Sequence, residues 1–164
     1  MKLSKSLACL VLLISVLGFA AEKPNFSGAW VLDKDKSFSN QPGLEQTMTI
    51  THEGDSLKLV GKQKSVRGEV DLNEAYALDG KQTDFTPANP PNAKGKRTAS
   101  WLPNQKGILV EDEITSDSPN GPATQKITRK WRLSPDGAVL TIDYFIDNAR
   151  GSFESKRVFV RKKE

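Results

Sequence analysis

From Ser27 onward, apolar and polar residues alternate with a period of two, and clusters of Gly, Pro, Asn and Asp interrupt the alternation at short intervals. That period marks strands with one buried and one solvated face. No segment keeps helical periodicity for three turns. The pattern predicts ten strands, near 27–33, 44–53, 56–65, 68–78, 81–86, 96–102, 107–116, 123–133, 138–146 and 152–161. Asp79-Gly80 between two of them reads as a two-residue hairpin turn, because a type I′ turn needs positive φ at both centres. Pro87 to Gly95 holds three prolines and reads as an exposed loop at a sheet edge or barrel mouth.

A meander of this kind must dispose of two sheet edges. Closing into an up-and-down barrel removes both, whereas a β-sandwich usually needs long crossovers between its sheets. No long crossover is present, so the expected fold is all-β: an antiparallel up-and-down meander of 8–10 strands closing into a barrel.

Register is testable, because a one-residue slip exchanges the two faces of a strand. Pairing 107–116 with 123–133 so that residue numbers sum to 241 sets Ile108 against Leu133, Val110 against Trp131, Asp112 against Arg129 and Ile114 against Ile127. Glu111 then meets Lys130 on the other face. The following hairpin, closed by Ser134-Pro135-Asp136-Gly137, puts Trp131 beside Leu140, Arg129 beside Ile142 and Ile127 beside Tyr144. One strand further, Ile142 lies near Arg157 and Leu140 near Phe159.

The N-terminus fixes the expected compartment. Lys2 and Lys5 precede an apolar run from Leu7 to Phe19, and Gly18-Phe19-Ala20 offers small residues for a cut after Ala20. This is the layout of a secretory signal peptide; a run of 13 residues is short of the ~20 that span a bilayer. The expectation is a signal peptide over 1–20 and a single domain over 21–164, secreted to the periplasm or the medium and free of the membrane after cleavage. Cys9, the one cysteine, leaves with the signal, so the mature chain has neither disulfide nor thiol chemistry. Losing Lys2 and Lys5 lowers the formal net charge from +4 to +2, with no footprint for nucleic acid.

The mature start reads Asn25-Phe26-Ser27-Gly28-Ala29-Trp30-Val31-Leu32-Asp33. Its Gly28-Ala29-Trp30 resembles the Gly-x-Trp opening of lipocalins and related calycins. The chain also resembles a group of small secreted bacterial proteins with an N-F-S-G-x-W start and a W-x-L-S-x-D-G hairpin, here Trp131 to Gly137. The resemblance implies a lipocalin-like barrel in which Trp30 sits at the closed end under a basic residue from a late strand, Arg157 or Arg161. The chain departs from lipocalins in lacking their disulfide, their middle motif and their C-terminal helix.

Several charged residues share the apolar faces: His52, Glu74, Asp112, Arg129 and Arg157. Charge on a core face is costly unless paired or wetted. One reading makes Asp112 and Arg129 a cross-strand pair that fixes register. The other makes a hydrated lumen, with Arg129, Arg157, Asp112, Tyr144 and Glu74 as its ligand-facing layer and the arginines holding a carboxylate. Interior arginines do this in fatty-acid-binding barrels, so the resemblance implies it here. His52 is the sole histidine, so no transition-metal site is expected, and no cofactor motif is present. Neither a nucleophile elbow nor a phosphate-binding glycine loop occurs. The expected function is non-catalytic binding of a small apolar or amphipathic ligand; the alternative is a structural or interaction module filled by its own side chains.

Overall fold

The computed structural model describes residues 23–88, 90, 92–117 and 121–162. The expected signal peptide and its cut after Ala20 lie outside them. The described residues form ten strands and no helix: β1 (Gly28–Leu32), β2 (Glu45–Glu53), β3 (Ser56–Ser65), β4 (Gly68–Ala77), β5 (Asp79–Phe85), β6 (Lys94–Trp101), β7 (Gly107–Ser116), β8 (Ala123–Leu133), β9 (Val139–Asn148) and β10 (Gly151–Arg161). The strands make one antiparallel sheet in the order β4-β3-β2-β1-β10-β9-β8-β7-β6-β5. Pairing of the first strand with the last rolls the meander into a nearly closed barrel, as expected.

The remaining seam lies between β4 and β5, where sequence reading placed a hairpin. Leu78 is drawn into the core instead, its N–H bonded to the Asp55 carbonyl at 2.7 Å. Asp79 then pairs with Ser100 of β6, and Gly80 (φ +74°) serves a corner rather than a hairpin. Side chains bridge the seam in place of backbone bonds, as described below.

Two registers differ from expectation by two residues. Strands β7 and β8 set Ile108 against Trp131, Val110 against Arg129 and Asp112 against Ile127. Pro122, just before β8, has no N–H to donate to a ladder. The ladder ends at Ser116 and Ala123. The next hairpin, expected to close over Ser134 to Gly137, runs on to Val139: Ser134 N–H bonds the Val139 carbonyl, and Gly137 N–H bonds that of Ser134, both at 2.8 Å. Trp131 thus faces Ile142, and Arg129 faces Tyr144. A shift of two leaves every side chain on its predicted face. Between β9 and β10 the register is as expected, with Ile142 opposite Arg157 and Leu140 opposite Phe159.

One end of the barrel is packed solid. Phe26, ahead of β1, folds beneath it and meets Trp131 edge-on at a ring separation of 6.4 Å; Trp30, Ile50, Leu57, Ile108, Leu140 and Phe159 complete the layer. Trp30 Nε1 donates to the Phe26 carbonyl at 3.1 Å, and Arg161 caps the ring at 4.4 Å. Arg161 is thus the late-strand basic residue over the tryptophan, not Arg157. The glycine of the Gly-x-Trp segment has a local cause. Gly28 has φ +140°, and a Cβ there would stand 2.1 Å from Arg161 Nη1.

Candidate functional site

Above the packed layer the barrel holds a cavity of about 1210 Å³, open at the end formed by Gln41, Pro87, Ala88, Pro90 and Arg150. Pro87, Ala88 and Pro90 come from the proline-bearing stretch expected at a barrel mouth. All five residues of the expected ligand-facing layer, Glu74, Asp112, Arg129, Tyr144 and Arg157, line the cavity. His52 does not. It belongs to the closed end, where its Nδ1 accepts the Phe26 N–H at 3.3 Å and its Nε2 meets the Gly54 carbonyl at 3.1 Å.

Four of the charges form one cluster. Asp112 accepts Arg97 Nε on Oδ1 at 2.7 Å and Arg97 Nη2 on Oδ2 at 2.9 Å, while Arg129 Nη2 reaches Oδ2 at 2.5 Å. Glu74 takes Arg97 at 3.0 Å and Arg129 at 3.1 Å on the same oxygen. The Tyr76 hydroxyl donates to Glu74 and accepts Arg129 Nη1 at 3.1 Å. Asp112 and Arg129 are therefore diagonal neighbours on β7 and β8, still ion-paired. Residue Arg97, directly opposite Asp112 on β6, was absent from the expected layer. Its signal was legible: Arg97, Ala99 and Trp101 share one parity of β6.

The cluster also spans the seam. Glu74 and Tyr76 extend from β4 to arginines on β6 and β8, and the Arg97 guanidinium lies between the Tyr76 ring at 4.6 Å and the Phe85 ring at 4.2 Å. Burial would raise the Glu74 carboxyl, but the charges of Arg129 and Arg97 outweigh it and hold its pKa at about 2. Burial pushes the Tyr76 hydroxyl well above its ordinary value, so it stays protonated. Two carboxylates thus balance two guanidinium groups.

Arg157 stands apart. It is 8% exposed, and among the described residues no carboxylate pairs with it. Its Nη1 donates to Gln46 Oε1 at 2.7 Å and Gln63 Oε1 at 2.8 Å, and its guanidinium lies 4.5 Å over the Tyr144 ring. Gln63 in turn donates to Gln41 at 3.2 Å, carrying the polar chain to the mouth. Sequence reading missed both Gln46 and Gln63, though each shares the parity of the apolar residues on its strand. Among the described residues, no group of three or more His, Cys, Asp or Glu side chains is placed to hold a metal ion.

Neither a known family's sequence profile nor a curated protein sequence matches this chain. Solved structures do match in fold. A fatty acid transporter designated REP1-NXSQ superposes with a TM-score of 0.54 at 12% identity, over 84% of this chain and 96% of its own. The zebrafish ileal bile acid-binding protein complexed with cholic acid gives 0.54 at 14% identity, over 84% and 98%. Lipid binding protein 8 of Caenorhabditis elegans gives 0.50 at 18% identity, over 84% and 95%. At such identities the likeness is one of architecture. What the chain shares with them is the fold, a barrel of antiparallel strands.

Proposed function

We propose that the protein is an exported, non-catalytic carrier that holds a small amphipathic anion in its lumen, with Arg157 taking the anionic group. One observation carries this reading. Arg157 is a buried guanidinium whose described polar partners are neutral glutamine carbonyls. An uncompensated buried charge is expensive, and an anion entering from the mouth would neutralise it. Arg129 is less available for that role, since Glu74 and Asp112 already engage it. The cavity exceeds the ~300 Å³ at which a small-molecule site becomes reasonable, so a barrel filled by its own side chains is the weaker reading. The lipid and bile acid carriers of similar fold support the same class of ligand.

The test is native mass spectrometry of the protein purified from its own cells, followed by titration of the stripped protein with palmitate. The expected result is a co-purifying organic acid, and palmitate binding that Arg157→Met abolishes. A stripped, folded protein that binds no organic anion would refute the reading.

A further inference from the structure

The seam between β4 and β5 is a slot in the barrel wall. The lining of the cavity runs through consecutive residues of both strands, 71–76 and 83–85, whereas a closed wall presents only alternate ones. Over most of their length the two strands stand more than 8 Å apart, Cα to Cα. Bonded neighbours lie ~4.8 Å apart, so a further strand set between two others needs about twice that spacing. The side chains that cross the seam, Glu74 and Tyr76, do so in the half of β4 nearer the closed end.

Strand β4 is the less protected of the two edges. It pairs with β3 over ten residues without a break in register, whereas β5 is irregular between Asp79 and Gln82. It holds neither proline nor lysine, the residues that usually blunt an edge. Every second residue of β4 turns its N–H and C=O away from β3, and among the described residues no backbone group receives them.

Charge selects the occupant. The chain has a formal net charge of +4, yet β4 and β5 together carry five carboxylates and one lysine. Asp71, with its side chain 83% exposed, and Asp84 face outward on either side of the slot. Their cross-strand neighbours Lys62 and Lys96 stand one strand further back, on β3 and β6. A second copy pairing β4 with β4 would set carboxylate against carboxylate, which destabilises a ladder. The same carboxylates favour a cationic strand.

We infer that the seam accepts an extended, basic peptide segment. It adds to the β4 edge through main-chain hydrogen bonds, turns alternate apolar side chains toward Val70, Leu72 and Phe85, and turns its cationic side chains outward to Asp71 and Asp84. This site is separate from Arg157 on β10 and goes beyond the carrier reading.

The probe is the amidated hexapeptide Lys-Val-Lys-Val-Lys-Val, titrated at low salt because exposed charges are screened. It is expected to bind, and hydrogen exchange of β4 amides is expected to slow as the new ladder covers them. Lys-Pro-Lys-Pro-Lys-Pro keeps the charge but loses three donors, and Glu-Val-Glu-Val-Glu-Val keeps the donors but reverses the charge. Each is expected to bind at least roughly tenfold more weakly. Asp71→Lys combined with Asp84→Lys, both at exposed positions, is expected to lose the first peptide to the same degree while still binding palmitate. No binding by the parent protein, equal binding of either control peptide, or binding that leaves β4 exchange unchanged overturns the inference. Protection of β4 that grows with protein concentration alone, with dimers in sedimentation, gives the slot to a second copy and overturns it too. None of these outcomes touches the carrier reading, which the palmitate titration tests separately.

Discussion

Arg97 grips both oxygens of Asp112 from directly across the β6–β7 ladder, with Nε and Nη2 at 2.7 and 2.9 Å. Asp112 also holds Arg129, so one carboxylate serves two guanidinium groups. Asp112→Ala leaves both arginines with Glu74 alone, and the expected loss is about 3–5 kcal/mol, the range for breaking a buried pair. Asp112→Leu combined with Arg129→Leu leaves Arg97 facing Glu74, a balanced pair, and should recover much of that loss. Urea unfolding of Asp112→Leu, Arg129→Leu and their double variant measures the coupling. Strictly additive losses would show that the cluster is not an energetic unit.

The same cluster makes the protein acid-sensitive in a defined window. Glu74 has its pKa lowered from 4.5 to about 2, so it binds fewer protons folded than unfolded. Its contribution is complete above pH 4.5 and is lost as the pH falls from there through 2. The full effect is about 3 kcal/mol, since each unit of pKa is ~1.4 kcal/mol. Glu74→Gln is expected to flatten the stability profile in that window. Because Glu74 and Tyr76 bridge the seam from β4, hydrogen exchange of β4 amides should also rise there before global unfolding.

Both seam and cluster show what a sequence of this kind discloses. Period-two alternation was enough to place all ten strands and assign inner faces, because burying one face of a barrel tolerates no one-residue slip. Loop chemistry was harder to read. Strands β7 and β8 pair two residues out of the expected register, and the hairpin expected to close over Ser134 to Gly137 runs on to Val139. Each change moved the pairing by two without changing a face. Asp79-Gly80 misled because local turn preference yielded to burial of Leu78. Arg97, Gln46 and Gln63 were visible only as polar residues on apolar parities, and nothing local distinguishes such a residue from a strand slightly misplaced. Their partners lie on other strands, so their roles emerge only when the barrel closes.

A second, higher acid window belongs to His52. Burial lowers its pKa from 6.5, and its Nδ1 lone pair accepts the Phe26 N–H, an interaction that protonation would destroy. The folded protein therefore binds this proton less readily than the unfolded chain. The stability that neutral His52 confers is full above pH 6.5 and declines as the pH drops below it toward the depressed folded value. With no other histidine in the chain, His52→Gln should remove the slope just below pH 6.5 while leaving the Glu74 window intact. A slope unchanged in the variant would assign it to another group.

The closed end offers a test of why the opening Gly-x-Trp segment is built as it is. Trp30 is 1% exposed, so Trp30→Ala should cost about 3–5 kcal/mol, as large aromatic truncations in cores do. Arg161 lies over the same ring, with Nε on the Gly137 carbonyl at 3.1 Å and Nη1 on that of Ser27 at 2.5 Å. It is solvent-exposed, and losing its cation–π contact should cost only about 1 kcal/mol. Gly28→Ala acts on both counts: the backbone at φ +140° strains a side-chain-bearing residue, and the new Cβ displaces Arg161 from its seat. Gly28→Ala should thus destabilise more than Arg161→Ala. The double variant should cost less than the sum of the two, because the displaced contact is already gone. Thermal or urea midpoints for the set decide it: full additivity would mean that the glycine serves the backbone alone and not the passage of Arg161 over Trp30.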